Sequence, residues 1–319
     1  MFTHSALHHV RPALISLSAC ASLLSCSCSS VTRVPLAPEV AAKLTTTEIK
    51  VVATHPEITA HIPGSNVAGA AVSAASAVPG GFIVGAILGA AGGATDAAIE
   101  NKQAKRAEEM VTPIRTQLIG ADTPATIADA LRSSLEEFSW VDARNLGLER
   151  EAILKREVVK TWVDKAPTKS LLLINADYYF SPDFSTLTID ATVSLLTANP
   201  DLKSHGAARG QAYPALFHNY FSYHTTVPGG GSNMESNAAA WAGTDQLHAR
   251  LDAGAQELAR LIAYDLKKPA VIVDKAKATQ TMAVSGLVGV NSRAKAAPEC
   301  IENGRHWIRA LTGELCSLD

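Results

Sequence analysis

Two histidines and two tyrosines lie close together in the stretch HNYFSYH, at positions 218, 220, 223 and 224. A pair of histidines could bind a metal ion, and on a β-strand His218 and His224 would share a face because their positions differ by an even number. No acidic residue or cysteine that could complete a metal site is near them in the sequence. The stretch is therefore more typical of an aromatic strand or a partner-binding surface, and we predict no metal site.

Two aspartates, Asp177 and Asp183, flank the turn between two apolar segments and could form an acid pair. Aspartate is also an ordinary turn residue, because its side chain bonds nearby backbone groups. The sequence has no Gly-x-Ser-x-Gly, His-Glu-x-x-His, P-loop, Gly-x-Gly-x-x-Gly or Cys-x-x-Cys motif. We therefore predict no catalytic residue, no cofactor and no enzymatic activity.

The first thirty residues are typical of a secretory leader, with a weakly basic start ending at Arg11, an apolar run and then small residues. Within it, LLSC at 23–26 resembles the lipobox of bacterial lipoproteins, whose cysteine is acylated and becomes the new N-terminus. We predict acylation at Cys26. Cys20 in LSAC is the alternative, although cleavage there would leave an apolar run of only about eight residues. An ordinary secretory signal is a further alternative.

The two remaining cysteines, Cys300 and Cys316, are an isolated pair near the end of the sequence. In an oxidising periplasm we expect them to form a disulfide, since their spacing suits neither a zinc site nor a redox motif. Two unpaired core cysteines are the alternative.

Charged residues make up only 18% of the chain, and the formal net charge is −2. Because this net charge produces no positive electrostatic field that would attract nucleic acid, we exclude nucleic acid as a partner. The scarcity of charge instead favours contact with a membrane.

Several segments have the patterns of strands and helices that would form an ordinary periplasmic domain. The clearest is a hairpin, SLLLINADYYF and STLTIDATVSLLT, whose second strand alternates. Its inward residues should be Leu187, Ile189, Ala191, Val193 and Leu195. Further strands are predicted in TTEIKVVATH and FSWVDAR, within the less regular stretch GAARGQAYPALFHNYFSYHTTV and in AVIVD, and a short hairpin should turn at 312–313. Helices are predicted from Thr123 as N-cap, over 148–163 and over 237–267.

Small residues recur every four positions through a charge-free region, at Gly69, Ser73, Ala77, Gly81, Gly85, Gly89 and Gly93. On a helix such a row forms a groove in which another helix can lie at backbone contact, which associates helices in lipid. The Pro-Gly turn at 79–80 divides the region into two arms. The second, 81–99, would be about 28 Å long as a helix, close to the ~30 Å hydrocarbon thickness of a bilayer. Proline should end its charged continuation at Pro113. A buried helix or a low-complexity linker are the alternatives.

The lipobox followed by residues 66–99 resembles the glycine-zipper hairpins of Gram-negative outer-membrane lipoproteins, which insert and self-associate. The later segments IADALRSSLEEFSWVDARNLGL and LLLINADYYFSPDFSTLTIDATVSLL are loosely similar to the α/β domain of lipoproteins of the curli-secretion type and of the TolB N-terminal domain. That similarity implies an α+β fold, a mixed sheet with packed helices, and carries no site residue.

The sequence thus predicts a signal peptide (1–25), a lipidated tether (26–46), an α/β periplasmic domain (47–274) with the inserted hairpin (66–99), a linker (275–299) and a disulfide-closed C-terminal hairpin (300–319). We expect a non-enzymatic lipoprotein that is anchored in the outer membrane, faces the periplasm, self-associates and presents a protein-interaction domain. An oligomeric pore or export component, and a tethered enzyme or ligand-binding module, are the alternatives.

Overall fold

The computed structural model describes residues 33–55, 57–60, 94–150, 154–202, 213–231, 233–268, 280–281, 295–311 and 313–319. The helices in these ranges are α1 (Pro38–Ala41), α2 (Ala94–Gln117), α3 (Thr123–Leu135), α4 (Arg156–Lys165), α5 (Met234–Ala242) and α6 (Leu247–Lys267). The strands are β1 (Glu48–Ala53), β2 (Thr59–Ala60), β3 (Gly147–Glu149), β4 (Ser170–Phe180), β5 (Thr186–Thr197), β6 (Ala215–Thr226), β7 (Gln280–Thr281), β8 (Lys295–Glu302), β9 (Arg305–Ala310) and β10 (Leu315–Leu318).

The described strands form one mixed sheet in the order β3-β1-β4-β5-β6-β10-β9-β8-β7, with β2 paired to the end of β4. β1 runs parallel to both of its neighbours, and β10 runs parallel to β6. β2 also runs parallel to β4, and the remaining neighbours are antiparallel. The predicted mixed sheet with packed helices is therefore confirmed.

The predicted β4–β5 hairpin is confirmed, and the five inward residues of β5 are all fully buried. The polar residues between them differ from the expectation of a solvent-facing side, because Thr188, Asp190 and Ser194 are also buried. Alternation predicted the strand and its faces correctly, but a second face can be polar without being exposed.

Helices α3 and α6 pack against each other, and α6 crosses β5 and β6 on one face of the sheet. A Cβ added to Gly254 in α6 would lie 2.6 Å from a methyl of Ile189 and 2.7 Å from the ring of Tyr223, so glycine permits this close approach. The N-cap of α3 is Asp122, whose carboxylate accepts from the backbone N–H of Ala125, and Thr123 is the first helical residue instead of the cap.

Two predicted elements near position 150 differ from the structure. FSWVDAR forms a turn and the 3-10 helix Ala143–Asn145, with a single bridge from Val141 to Thr47. Here the side chain of Asn145 donates to Asp142, a turn contact that competes with strand pairing. The helix predicted over 148–163 begins only at Arg156, because residues 147–149 form β3; α4 then packs beside β4 on the face opposite α6.

The predicted helix over 237–267 is two helices, α5 and α6, with Gly243 as the C-cap of α5. Helix α2 runs through Pro113 to Gln117, so the predicted stop was wrong. Val111 and Ile114, on either side of Pro113 in this helix, are fully buried. Tertiary packing of these residues therefore outweighs the loss of one helical hydrogen bond.

The hairpin predicted over 66–99 lies outside the described residues except for the start of α2, and so do Cys20, Cys26 and all seven small residues of the row. None of the helices in the described ranges combines the length and hydropathy that crossing a bilayer requires. The strand predicted in AVIVD also lies outside these ranges.

Two predicted boundaries differ from the folded elements. In the predicted tether, residues 33–46 pack against the domain: Val34 bridges to His218, and Leu36, Val40 and Leu44 are buried. In the predicted linker, strand β8 already begins at Lys295 and pairs with Gln280–Thr281. The hairpin predicted to turn at 312–313 is confirmed as β9 and β10, but β10 also continues the main sheet by pairing with β6.

Candidate functional site

The sheet face opposite α6 carries a band of buried polar side chains. Ile189 and Tyr223 point toward α6, so the alternate residues of β5 and β6 point the other way. Register places Asp177 of β4 beside Asp190 of β5, Asp190 beside Ser222 of β6, and Ser222 beside Cys316 of β10. We call Asp177, Asp190, Tyr179, Tyr220 and His55 the carboxylate cluster. Hydrogen bonds link His55 to Asp177 and both tyrosines to Asp190, and the two aspartates lie opposite each other on paired strands.

Asp177 holds a histidine from the loop after β1. His55 Nδ1 lies 2.9 and 3.1 Å from the two carboxylate oxygens, and 20% of the histidine side chain is exposed, against 5% for the aspartate. The pKa of His55 is raised, chiefly by this hydrogen bond, against the opposing effect of burial. A protonated His55 would compensate the charge of Asp177.

Asp190 holds two tyrosines. The hydroxyl groups of Tyr179 and Tyr220 donate to its Oδ2 at 2.9 and 2.7 Å. The pKa of Asp190 is raised to about 7, first by burial and then by the negative charge of Asp177, against the lowering effect of the two hydroxyls. Asp190 can therefore exchange a proton near neutral pH, where an ordinary carboxyl is fully ionised.

The cluster's polar groups are satisfied mainly by one another, and four of its five residues are buried. Only His55 offers an exposed edge. The arrangement can store a proton, and it presents no exposed nucleophile beside a base.

Sequence reasoning identified Asp177 but paired it with the wrong residue. Asp183 instead belongs to the β4–β5 turn, where its carboxylate accepts from the hydroxyl groups of Ser181 and Ser185 and from the N–H of Ser185. Strand register could have revealed Asp190, since hairpin counting places it opposite Asp177. No local sequence pattern indicates His55, which lies 122 positions before Asp177 in the sequence.

The two histidines of β6 do share a face, as predicted, but they lie six residues apart, or about 20 Å along a strand. His218 Nδ1 bonds Ser194 at 2.8 Å, while His224 bonds Thr188 and Ser222 at 3.0 and 2.9 Å. Burial lowers the pKa of His218 to about 4, and it is the main cause that lowers the pKa of His224 to about 3. Both rings are neutral at pH 7 and too distant to share a metal ion. Within the described ranges no three potential metal ligands are grouped.

Cys300 and Cys316 are free thiols in the structure. Strand β9 lies between them, because Cys300 pairs with Trp307 and Cys316 pairs with Ile308. Two strand spacings separate their backbones by about 9–10 Å, beyond the ~7 Å limit for a disulfide. Adjacent residues of β9 also face opposite sides of the sheet. This geometry does not allow the predicted bond.

A second polar network joins the N-terminal segment to the domain. The Asp265 carboxylate is fully buried and accepts from Arg33 Nε at 2.9 Å, from Arg309 Nη1 at 2.8 Å and from Asn219 Nδ2 at 2.8 Å. Arg309 also pairs with Glu299 at 3.2 Å. We call these five residues the aspartate hub. Its two guanidinium groups and two carboxylates balance in charge, which burial of ions requires.

No protein family, curated protein or solved structure matches this chain.

Proposed function

We propose that the chain is a non-enzymatic cell-envelope lipoprotein that is acylated at Cys26, held at the outer membrane facing the periplasm, and presents its α/β domain to protein partners. The leader and the LLSC pattern support acylation. The carboxylate cluster supports a role without catalysis, since its groups are held mainly by one another.

The observation that carries the proposal is the position of Arg33, seven residues after Cys26. Its guanidinium Nε contacts both oxygens of Asp265, and its Nη2 donates to the carbonyl of Lys268 at 3.1 Å. Seven residues can extend at most about 25 Å. A lipid on Cys26 would therefore hold the folded domain close to the bilayer surface.

Replacing Cys26 by serine is expected to abolish acylation and release the protein from the membrane or stall its processing. Radioactive palmitate labelling and membrane fractionation of cells that express the full chain would measure both effects. Cys20→Ser is the matched control and should behave as wild type. Unchanged labelling and membrane retention of the Cys26→Ser variant would contradict acylation at this residue.

We also propose that the small-residue row drives self-association. The row lies between β2 and α2, and α2 is a helix of 24 residues, about 36 Å long, that contacts β2 and α5. This connection supports a hairpin that is mechanically joined to the domain rather than one on a separate linker.

Leucine at both Gly85 and Gly89 is expected to reduce the oligomeric mass in detergent, because bulky side chains fill the groove that close helix packing needs. Light scattering coupled to size exclusion would measure the mass. Leucine at Ala86 and Ala90 adds three carbons per site outside the row, against four at each glycine, and should leave the mass unchanged. An unaltered mass in the Gly85/Gly89 variant would rule out assembly through the row.

A further inference from the structure

The segment that follows β1 continues along the same side of β4, and the structure describes its residues 54–55 and 57–60. The backbone N–H of Thr54 donates to the carbonyl of Ala176 in β4 at 3.2 Å. The side chain of Ile58 is buried in the core, and β2 then pairs with the end of β4. We call these residues the latch, and in the sequence they lead to the small-residue row.

A single ion pair joins the latch to the sheet within the described ranges, and His55 Nδ1 lies 2.9 Å from Asp177 of β4 in this pair. The strand pairing beside it is short, because β2 has only two residues. Arg115 of α2 also holds the latch by donating to the carbonyl of Ile58 at 2.8 Å, but arginine remains charged throughout the physiological pH range. The contact that depends on pH near neutrality is therefore the one that His55 makes.

Charged groups from three elements face His55. Asp177 of β4 and Asp190 of β5 favour its protonated form, whereas Arg115 of α2 opposes it. Arg115 lies 3.5 Å from the carboxylate of Glu57, the other charged residue of the latch. The two tyrosines of the carboxylate cluster stay neutral, since burial raises their pKa values well above the ordinary value. The balance raises the pKa of His55, and its hydrogen bond to Asp177 is the largest cause.

Loss of the His55 proton leaves the carboxylate of Asp177 without an opposite charge beside it. Only 5% of this side chain is exposed, so water cannot replace the lost charge while the latch is closed. The backbone N–H of Tyr178 still donates to Asp177 Oδ1 at 2.8 Å, and a neutral imidazole can donate as well, but neither donor carries a full charge. Opening of the latch hydrates the carboxylate, so deprotonation of His55 favours the open form.

We propose that the latch is a pH-dependent attachment of the segment before the small-residue row, closed while His55 is protonated and opened more often once His55 is neutral. The stabilisation is present at mildly acidic pH and is lost as the pH rises through the folded-state pKa of His55. Asp190 ionises near pH 7, and its negative charge helps His55 to keep its proton. All of these contacts lie within the folded domain, so the inference is independent of acylation at Cys26 and of self-association.

Hydrogen–deuterium exchange of the purified full chain at pH 6 and pH 9, measured by mass spectrometry, tests the proposal. The rates are first corrected for the intrinsic pH dependence of amide exchange, so that the remaining change reports opening of the structure. We expect the protection of peptides that cover the latch to fall at least threefold between the two pH values. Equal protection of the latch at pH 6 and pH 9 would overturn the proposal.

His55→Gln tests whether this histidine is the cause. Glutamine can still donate to Asp177 but cannot gain a charge, so the protection of the latch should change less than twofold between the two pH values. His306→Gln is the matched control, because His306 is an exposed histidine of β9, and it should keep the wild-type response. A wild-type response in folded His55→Gln protein would assign the pH dependence to another group and overturn the proposal.

A second variant, Asp177→Asn, removes the carboxylate instead of the histidine and should also abolish the pH response of the latch. Its amide oxygen can still accept from His55 and from the N–H of Tyr178, so the substitution preserves both hydrogen bonds. Circular dichroism identifies any variant that fails to fold, and one folded variant of the two is enough for the test. Latch protection that falls as in wild type in folded Asp177→Asn protein would equally contradict the proposal.

Discussion

Replacing Asp265 by asparagine is expected to lower the free energy of unfolding by about 3–5 kcal/mol, the usual cost of removing one partner from a buried ion pair. Asparagine has nearly the same volume, so the loss reports charge rather than a cavity. Arg33 and Arg309 would remain almost completely buried, with only Glu299 to compensate them. Urea unfolding of the purified full chain, followed by tryptophan fluorescence, measures the change.

Asp252→Asn is the matched control for this substitution, because Asp252 lies on the same helix and is exposed. Its effect should be within about 0.5 kcal/mol. If the two variants unfold at the same urea concentration, the aspartate hub contributes no more than a surface charge, and the link between Arg33 and the domain is weak. That result would also weaken the argument that lipid on Cys26 holds the domain close to the membrane.

The aspartate hub shows why part of this fold could not be predicted from the sequence. Arg33 and Asp265 are separated by 232 positions, and neither has a local pattern that points to the other. Residues 27–44 contain two prolines and no sustained period, which is typical of a tether. Their C-terminal part is nevertheless ordered against the domain, because one buried ion pair and three buried aliphatic side chains attach it.

The central strands were predictable because their pattern is local. Eleven residues of β4 and the alternating β5 have the apolar content and the connecting turn that define a hairpin. Tertiary packing decided the elements that were predicted wrongly. Burial of Val111 and Ile114 carries α2 through Pro113, and the pairing of β9 with both β8 and β10 places it between the two cysteines that we expected to join.

The candidate site was predictable only in part, for the same reason. Asp177 stood out because it precedes a turn, whereas its partners depend on register and on a loop from another strand. The alternation in β5 predicted correctly which residues share a face, but it wrongly predicted that the polar face is exposed. Periodicity shows which face a residue is on and does not show whether that face is covered.

Replacing Asp190 by asparagine is expected to stabilise the protein at pH 8 and to have little effect at pH 4. In the folded state the pKa of Asp190 is about 7, against an ordinary value of 3.8. A raised carboxyl pKa means that the folded state favours the protonated form. Between about pH 4 and pH 7 this carboxyl is ionised in the unfolded chain but still protonated in the folded state. Ionisation therefore favours unfolding, and the free energy of unfolding falls as the pH rises. Each pKa unit corresponds to about 1.4 kcal/mol, so the loss above pH 7 is up to about 4 kcal/mol.

Asparagine removes this loss because its side-chain oxygen can still accept from Tyr179 and Tyr220 but cannot ionise. The raised pKa of His55 makes a contribution of the same direction, lost as the pH rises through its folded value, but both proteins keep that histidine. Asp190 is the smallest of the causes that raise the pKa of His55, so the difference between variant and wild type reports mainly Asp190. The difference should grow from about pH 4 to pH 7 in urea unfolding and level off above the folded-state pKa. A difference that stays constant over this range would mean that Asp190 ionises at an ordinary pKa, and that the carboxylate cluster stores no proton at neutral pH.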